Sequence, residues 1–184
     1  MEYLMRFCKT EEEAKQYDRM IFQSGTWRDG DLGKLNRPQI IERLCADHPD
    51  HAKTIRAILG SCNEMLSSYE DTGVLLRELH EKGYRLFYLT NTTPEAFGYI
   101  GDTYGYFRYF EGGIRSCDYG VLKPQPEIYR LLLKKYGLNP AESLFADDMR
   151  VNLEAAEREG IHTVCPPHPQ LLRKTLLESG EVFL

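Results

Sequence analysis

The chain has 184 residues, a formal net charge of −5, 42% hydrophobic residues and 28% charged residues. This size fits one domain, or a core with a small insertion. The acidic balance excludes a nucleic-acid or anionic-membrane surface, because phosphate-rich partners demand a basic face. No apolar run approaches the roughly 20 residues that span a bilayer. The five cysteines are scattered, and we see no signal peptide, so we expect a cytoplasmic protein with reduced thiols.

The first seventy residues predict helices. Thr10 and Glu13 have the spacing of a capping box, which opens a helix that runs to about Ser24. Asn36 caps a second helix, and apolar residues at i, i+3, i+4 spacing over 55–66 predict another. The glycines and aspartates of the segment 25–33 predict a loop. We therefore expect a separate helical unit at residues 1–70.

From residue 71 onward, helical patterns alternate with short apolar strands. The predicted strands are 85–90, 112–117, 143–146 and 161–165. Such alternation predicts a mostly parallel sheet that is covered by helices on both faces. The predicted fold class is therefore α/β, with a Rossmann-like core at residues 71–184 and a helical unit before it.

Polar residues follow the predicted strands at the edge where open parallel sheets bind ligands. Thr90 and Asn91 end one strand, and a hydroxyl with a backbone N–H at a helix start can hold a phosphate oxygen. Lys123 stands in a proline-rich loop just before a helix, where a cation is disfavoured unless it faces an anion. Each residue alone also has a purely structural reading, as a strand end, a helix cap or a solvated lysine.

The adjacent carboxylates of Asp147 and Asp148 follow a third strand, and Asn152 lies one helical turn later. Two carboxylates this close repel each other and cost desolvation when they are buried. A divalent cation offsets both costs, and Mg²⁺ prefers oxygen ligands together with water and a substrate phosphate. The sequence therefore indicates a magnesium and phosphate site.

In this order the segments resemble the motifs of the haloacid dehalogenase-like (HAD) hydrolase superfamily. The segment 89–92 is similar to the family's strand ending in Ser or Thr, and 123–126 is similar to its phosphate-facing lysine motif. The segment 145–148, with Asn152 and Gly160, resembles its acidic metal motif. The resemblance is strong over residues of about 70–167.

This resemblance implies a Mg²⁺-dependent phosphatase of small phosphorylated metabolites that works through an aspartyl-phosphate. Asp148 would hold the metal, with Asp147 assisting directly or through water. Thr90, the backbone of Asn91 and Lys123 would neutralise the phosphoryl oxygens. Dehalogenation, the other hydrolytic reaction of the superfamily, needs no metal, so the acidic pair favours phosphate.

The helical first third resembles the cap of the branch that includes sugar-phosphate phosphatases and the phosphatase domain of soluble epoxide hydrolases. The resemblance implies that this cap closes over the substrate, with Trp27 either contacting it or packing inside the cap. The partner is then a small phosphorylated substrate, with neither nucleic acid nor membrane. A homodimer is one option, and the sequence does not select the oligomeric state.

One motif of the family has no counterpart here: an apolar first strand that ends in a nucleophilic Asp. We expect this strand to be absent from the middle of the sheet, between the strands that end at Thr90 and Asp147. A strand over 3–8, which would put Cys8 at the nucleophile position, is an alternative. We expect about 15 to 20 further upstream residues to carry the missing strand. The other reading is an inactive, non-catalytic remnant that binds a phosphate ligand or a protein partner.

Overall fold

The computed structural model describes residues 1–180. The chain divides into two compact units. The first unit comprises Met1–Ser67, Thr92–Asp102 and Cys117–Gly120, and the second comprises Ser68–Asn91, Thr103–Ser116 and the chain from Val121 onward. The last four residues of the expected core, 181–184, lie outside the described residues.

The helices and strands follow one another as the sequence alternation suggests. In chain order they are α1 (Glu2–Met5), α2 (Glu11–Ile21), α3 (Gly25–Asp31), α4 (Arg37–Asp47), α5 (Ala52–Gly60), α6 (Glu70–Glu81), β1 (Phe87–Thr90), α7 (Pro94–Thr103), β2 (Gly112–Arg115), α8 (Ser116–Tyr119), α9 (Pro126–Tyr136), β3 (Leu144–Ala146), α10 (Arg150–Arg158), β4 (His162–Val164) and α11 (Leu172–Ser179). Within residues 1–180, no helix has both the length and the apolar character needed to cross a membrane.

The helical unit begins its helices where the sequence predicts. The Thr10 hydroxyl accepts a hydrogen bond from the Glu13 N–H at 3.2 Å and caps α2. Asn36 and Gln39 form a reciprocal capping box at the start of α4. Such caps satisfy N–H groups that have no partner inside the helix. Helices α2, α4 and α5 then share an apolar core whose fully enclosed members include Ile21, Ile55 and Ile58.

The loop expected at residues 25–33 is wrong, because most of the segment forms α3. The Ser24 hydroxyl accepts a hydrogen bond from the Trp27 N–H at 3.0 Å and caps this helix. Gly30 is a packing residue here, since a Cβ on it would lie 2.4 Å from Ile40 Cδ1 of α4. The chain leaves the helix at Gly33, whose φ of +73° suits glycine. Close approach of α3 to α4 therefore explains Gly30, which favoured a loop in the sequence.

The alternative strand over residues 3–8 is also wrong. This segment contains α1, and Leu4 is buried in the core of the helical unit. The Tyr3 hydroxyl donates a hydrogen bond to the Ile58 carbonyl of α5 and contacts the Ser61 hydroxyl at 2.9 Å. These contacts fix the segment as a helix, so Cys8 does not end a strand.

The second unit contains two parallel strand pairs. β1 pairs with β2, from Phe87 opposite Gly112 to Thr90 opposite Arg115. β3 pairs with β4, from Leu144 opposite His162 onward. The predicted α/β class with parallel strands is confirmed. The strands form two separate two-stranded sheets where the sequence reading expected one.

Two apolar clusters pack against the strands. The first joins β2 with α9 and α10 through Ile114, Ile128, Tyr129, Ala155, Ala156 and Ile161, and Leu89 of β1 and Phe145 of β3 pack against it. The second joins β4 with α6 and α11 through Leu75, Leu79, Val164 and Leu176, and Leu86 and Leu144 pack against it. The first cluster therefore joins both sheets to α9 and α10.

Candidate active site

The candidate site lies beyond the carboxyl ends of β1 and β3. Thr90 is the last residue of β1, and Asp147 directly follows β3. The Thr90 hydroxyl lies 3.4 Å from the Asn91 carbonyl oxygen, which is a long hydrogen bond that a better acceptor can replace. This arrangement agrees with the rule that parallel sheets bind ligands at this edge.

The Asn91 side chain holds the main chain of Lys123. Its Nδ2 donates to the Lys123 carbonyl at 3.0 Å, and its Oδ1 accepts from the Lys123 N–H at 2.8 Å. An amide side chain can do both because it carries a donor and an acceptor side by side. A residue 32 positions away in sequence is thereby fixed at the end of β1.

The loop around Lys123 is also closed by its own hydrogen bonds. The Leu122 N–H donates to the Gln125 side-chain oxygen at 2.8 Å. The Gln125 N–H donates back to the Leu122 carbonyl at 2.7 Å. Pro126 then starts α9 at a position where its missing N–H costs nothing. The Lys123 backbone is therefore held from both sides.

The Lys123 ammonium points to Asp147. Its Nζ lies 2.6 Å from Asp147 Oδ2, and the two side chains are only 12% and 6% exposed. The same nitrogen lies 5.4 Å from the centre of the Phe145 ring, so the ring face also stabilises the cation. An ammonium has three N–H donors, and Asp147 accepts one, which leaves donors for an incoming anion.

Protein donors reach both carboxylate oxygens of Asp147. Oδ1 accepts from the Met149 N–H at 2.8 Å and from Asn152 Nδ2 at 2.9 Å. Asn152 is 4% exposed on α10, and its carbonyl accepts a hydrogen bond from the buried Tyr129 hydroxyl at 2.8 Å. Burial raises the pKa of Tyr129, with a further contribution from the Asp147 charge, so this hydroxyl remains a donor. The Asp147 carboxylate thus holds Lys123, the Met149 N–H and Asn152 in position.

Asp148 differs from its neighbour because its side chain is exposed. In the described part of the chain its carboxylate has no hydrogen-bond or ion-pair partner. Residues 1–180 contain no group of three or more His, Cys, Asp or Glu arranged to hold a metal. Mg²⁺ is commonly held by one or two carboxylates, with water and substrate phosphate as the remaining ligands. A free Asp148 carboxylate beside Asp147 fits that mode of binding.

The structure brings together most of the residues that the sequence singled out. Thr90, Asn91, Lys123, Asp147 and Asn152 are linked by the contacts given above. The roles of the Asn91 side chain and of the Tyr129 hydroxyl were missed. For Asn91, the available signal was a polar amide side chain directly after a strand. Nothing in the local sequence marks the second.

Trp27 belongs to the helical unit and lies on α3. Its ring packs edge-on against Phe22, with centroids 4.8 Å apart and planes at 78°. It also borders the core of that unit. A packing role for Trp27 is therefore visible, and its contact with a substrate stays a prediction.

Comparison with known proteins extends these observations. A family model for haloacid dehalogenase-like hydrolases matches residues 7–160. The chain is 25% identical over 162 residues to mouse "Acyl-CoA dehydrogenase family member 10", a match that covers 83% of this chain but 15% of that protein. It is 27% identical over 141 residues to "Sesquiterpene phosphatase astK" of Aspergillus oryzae, covering 77% of this chain and 72% of that protein.

A similar solved structure is a HAD family enzyme from Bacteroides thetaiotaomicron in complex with magnesium and inorganic phosphate. The two structures align with a TM-score of 0.71 and 24% identity, over 91% of this chain and 86% of the other. At this identity the likeness concerns the fold. It agrees with the Rossmann-like α/β class of the described residues.

Proposed function

Because this chain belongs to the haloacid dehalogenase-like hydrolase family, we propose that its site serves Mg²⁺-dependent hydrolysis of small phosphate monoesters. A phosphatase among its relatives supports this proposal. The observation that carries it is the placement of Lys123. Its main chain is held at the end of β1 by Asn91, and its ammonium reaches the acidic pair beyond β3. A cation and a free carboxylate side by side suit a phosphate with a divalent metal.

The roles follow from these contacts. The two remaining Lys123 donors, the Thr90 hydroxyl and the Asn91 N–H bind phosphoryl oxygens. Asp148 holds Mg²⁺, while Asp147 keeps Lys123 and Asn152 in position. When bound, Mg²⁺ supplies a Lewis acid that offsets the charge of the phosphoryl oxygens.

Hydrolysis through an aspartyl-phosphate further needs a nucleophilic carboxylate. Its oxygen attacks phosphorus while the ester P–O bond breaks, and the leaving alkoxide takes a proton. Water then hydrolyses the acyl phosphate and releases inorganic phosphate. Asp147 is engaged by three donors and Asp148 is assigned to the metal, so we assign this role to neither. The carboxylate has to enter the space between the ends of β1 and β3.

A second candidate function is phosphate and metal binding without turnover. The separate pairing of β1 and β3 supports it, because no strand among residues 1–180 stands between them to present a nucleophile. In that case the same cradle binds a phosphorylated ligand. The two candidates share their binding residues and differ only in product formation.

Calorimetric titration with Mg²⁺, followed by inorganic phosphate, tests the binding that both candidates require. Phosphate release from a panel of sugar phosphates then separates them. Asp148→Asn should abolish Mg²⁺ binding, whereas Asp102→Asn, at an exposed carboxylate of α7, should leave it unchanged. Binding with turnover supports the phosphatase, and binding alone supports the second candidate. A chain that binds neither Mg²⁺ nor phosphate contradicts both.

A further inference from the structure

The backbone that follows α3 packs closely against a segment much later in the chain. A Cβ on Gly33 would lie 2.1 Å from the Cys117 carbonyl oxygen and 3.0 Å from the carbonyl carbon. Both atoms belong to the main chain, so no side-chain rotation relieves such a contact. The φ of Gly33, +73°, disfavours a side chain for a second reason. Gly33 thus lets this backbone approach Cys117–Gly120, which belongs to the same compact unit.

The same helix contacts a second distant segment. A Cβ on Gly30 of α3 would lie 3.4 Å from Thr93 Cγ2, and Thr93 is only 2% exposed. The start of α7 is also held by α4, because the Glu95 carboxylate accepts a hydrogen bond from the Arg37 N–H at 3.1 Å. The segment Thr92–Asp102 therefore belongs to the same unit as α3 and α4.

These two segments lead directly into the candidate phosphate site. Asn91 immediately precedes the first segment, and Lys123 follows the second after two intervening residues. Two hydrogen bonds between the Asn91 side chain and the Lys123 main chain then join the two ends. The contacts and the chain together form a closed path, which we call the contact circuit. It is defined by Gly30, Gly33, Cys117, Lys123, Asn91 and Thr93.

The part of the contact circuit before Lys123 has little freedom to absorb a displacement. Leu122 is 7% exposed, and its N–H and carbonyl are both hydrogen-bonded to Gln125. Closely packed segments transmit strain because they are hardly compressible. A shift of the Cys117 carbonyl should therefore reach Lys123, whose ammonium lies 2.6 Å from Asp147 Oδ2.

We propose that Gly33 is a positioning residue, which acts through the Cys117 carbonyl and sets the position of Lys123. The missing side chain of Gly33 determines how closely the backbone after α3 approaches the segment before the lysine. The ammonium then contacts Asp147 and keeps donors for a phosphoryl oxygen, a step that rests on the proposed function. A side chain at position 33 displaces Lys123 and leaves Asp148 untouched.

Acylation of lysines, read by mass spectrometry, reports the position of Lys123 without any ligand. In the parent chain this amine should react slowly, because it is 12% exposed and paired with Asp147. Gly33→Ala should raise its reaction rate several-fold, since the displaced ammonium leaves its partner. Lys53, which is exposed on α5, is the internal reference and should keep its rate.

Gly137→Ala separates this effect from the cost of an alanine at positive φ. Gly137 ends α9 with a φ of +61°, and a Cβ on it would meet nothing within 4 Å. Both substitutions strain the backbone, but only Gly33→Ala also pushes against a carbonyl. Melting curves define the temperatures at which each variant is folded, and labelling is done there. A Lys123 rate that is unchanged by Gly33→Ala, or raised equally by both substitutions, overturns the proposal.

Titrations with inorganic phosphate and with Mg²⁺ connect the position of Lys123 to the proposed function. Gly33→Ala should lower phosphate affinity about tenfold, as expected for a lost hydrogen bond from a charged donor, and should not weaken Mg²⁺ binding. Gly137→Ala should leave both affinities unchanged. Faster labelling with an unchanged phosphate affinity overturns the role of Gly33 in phosphate binding. A parent chain that binds no phosphate contradicts the proposed function, whereas the labelling still decides whether Gly33 positions Lys123.

If Gly33→Ala does not fold, amide hydrogen exchange in Asn91→Ala decides the question from the other side of the contact circuit. The N–H groups of Gly33 and Lys34 are hydrogen-bonded after α3 at 2.8 and 2.9 Å. Because coupling between two sites is reciprocal, Asn91→Ala should speed exchange of both amides several-fold. The His48 N–H, bonded at 3.0 Å in the same unit but outside the circuit, should keep its rate. Unchanged exchange at Gly33 overturns the proposal.

Discussion

Asn91 and Lys123 are joined by two hydrogen bonds in opposite directions between one side-chain amide and one main chain. The same lysine reaches Asp147 through its ammonium. Asn91 therefore acts on the acidic pair through a residue that it positions. This chain of contacts converts three separate sequence segments into one site.

Asn91→Ala removes both hydrogen bonds to the Lys123 main chain. Each is worth about 1 kcal/mol, and about 1.4 kcal/mol corresponds to a tenfold change in affinity. We expect phosphate affinity to fall about tenfold while Mg²⁺ affinity stays unchanged. Calorimetric titration measures both. Asn139→Ala, which removes a cap from a short 3₁₀ helix outside the site, is the matched control; equal phosphate affinity in both variants would contradict the positioning role.

Asp147→Asn and Asp148→Asn should separate stability from metal binding. Asp147 is 6% exposed, and its partner Lys123 is 12% exposed. Removing one charge of a buried pair costs about 3–5 kcal/mol, because the other charge stays uncompensated. Asp148 is exposed, so its substitution should change the free energy of unfolding by less than about 0.5 kcal/mol. Urea denaturation measures the difference; similar losses in both variants would show that Asp147 does not organise the site.

Lys123→Met should weaken phosphate binding and strengthen Mg²⁺ binding. The variant keeps an unbranched chain near the Phe145 ring but removes the cation that lies 2.6 Å from Asp147. Without this cation, the anionic ligand loses a charged donor, whereas the metal no longer faces a like charge. Titrations of each ligand by itself measure the two effects. As a control, Lys134→Gln, in the last turn of α9, should leave both affinities unchanged.

The sequence predicted most of the second unit because its signals are local. Apolar runs, the glycine after α9 at φ +61° and the paired aspartates each act within a few residues. The helix α3 was missed because Gly30 serves a contact with α4, which the local sequence does not contain. The hydrogen bonds from the Asn91 side chain to the Lys123 main chain were missed for the same reason, since the two residues are 32 positions apart. The expected absence of a central strand remains a prediction.

The helical unit should show a pH dependence that comes from Asp31 at the end of α3. Burial raises the pKa of this carboxyl from its usual 3.8 to about 6. The folded state therefore favours the neutral form. The contribution of the protonated Asp31 carboxyl to stability is fully present below about pH 4, which is its pKa in the unfolded chain, and is lost as the pH rises through about 6. Above that pH, folding has to bury a charge.

Asp31→Asn places a neutral amide at this position at every pH. We expect the variant to melt at a higher temperature than the parent chain at about pH 7.5, and at nearly the same temperature at about pH 3, where Asp31 is protonated in both states. The difference in melting temperature should grow between about pH 4 and about pH 6, the pKa values of the unfolded and folded states, and level off above that range. Asp50→Asn, at an exposed position of the same unit, should show no such growth. A difference that is constant across this range would mean that burial does not raise the pKa of the Asp31 carboxyl.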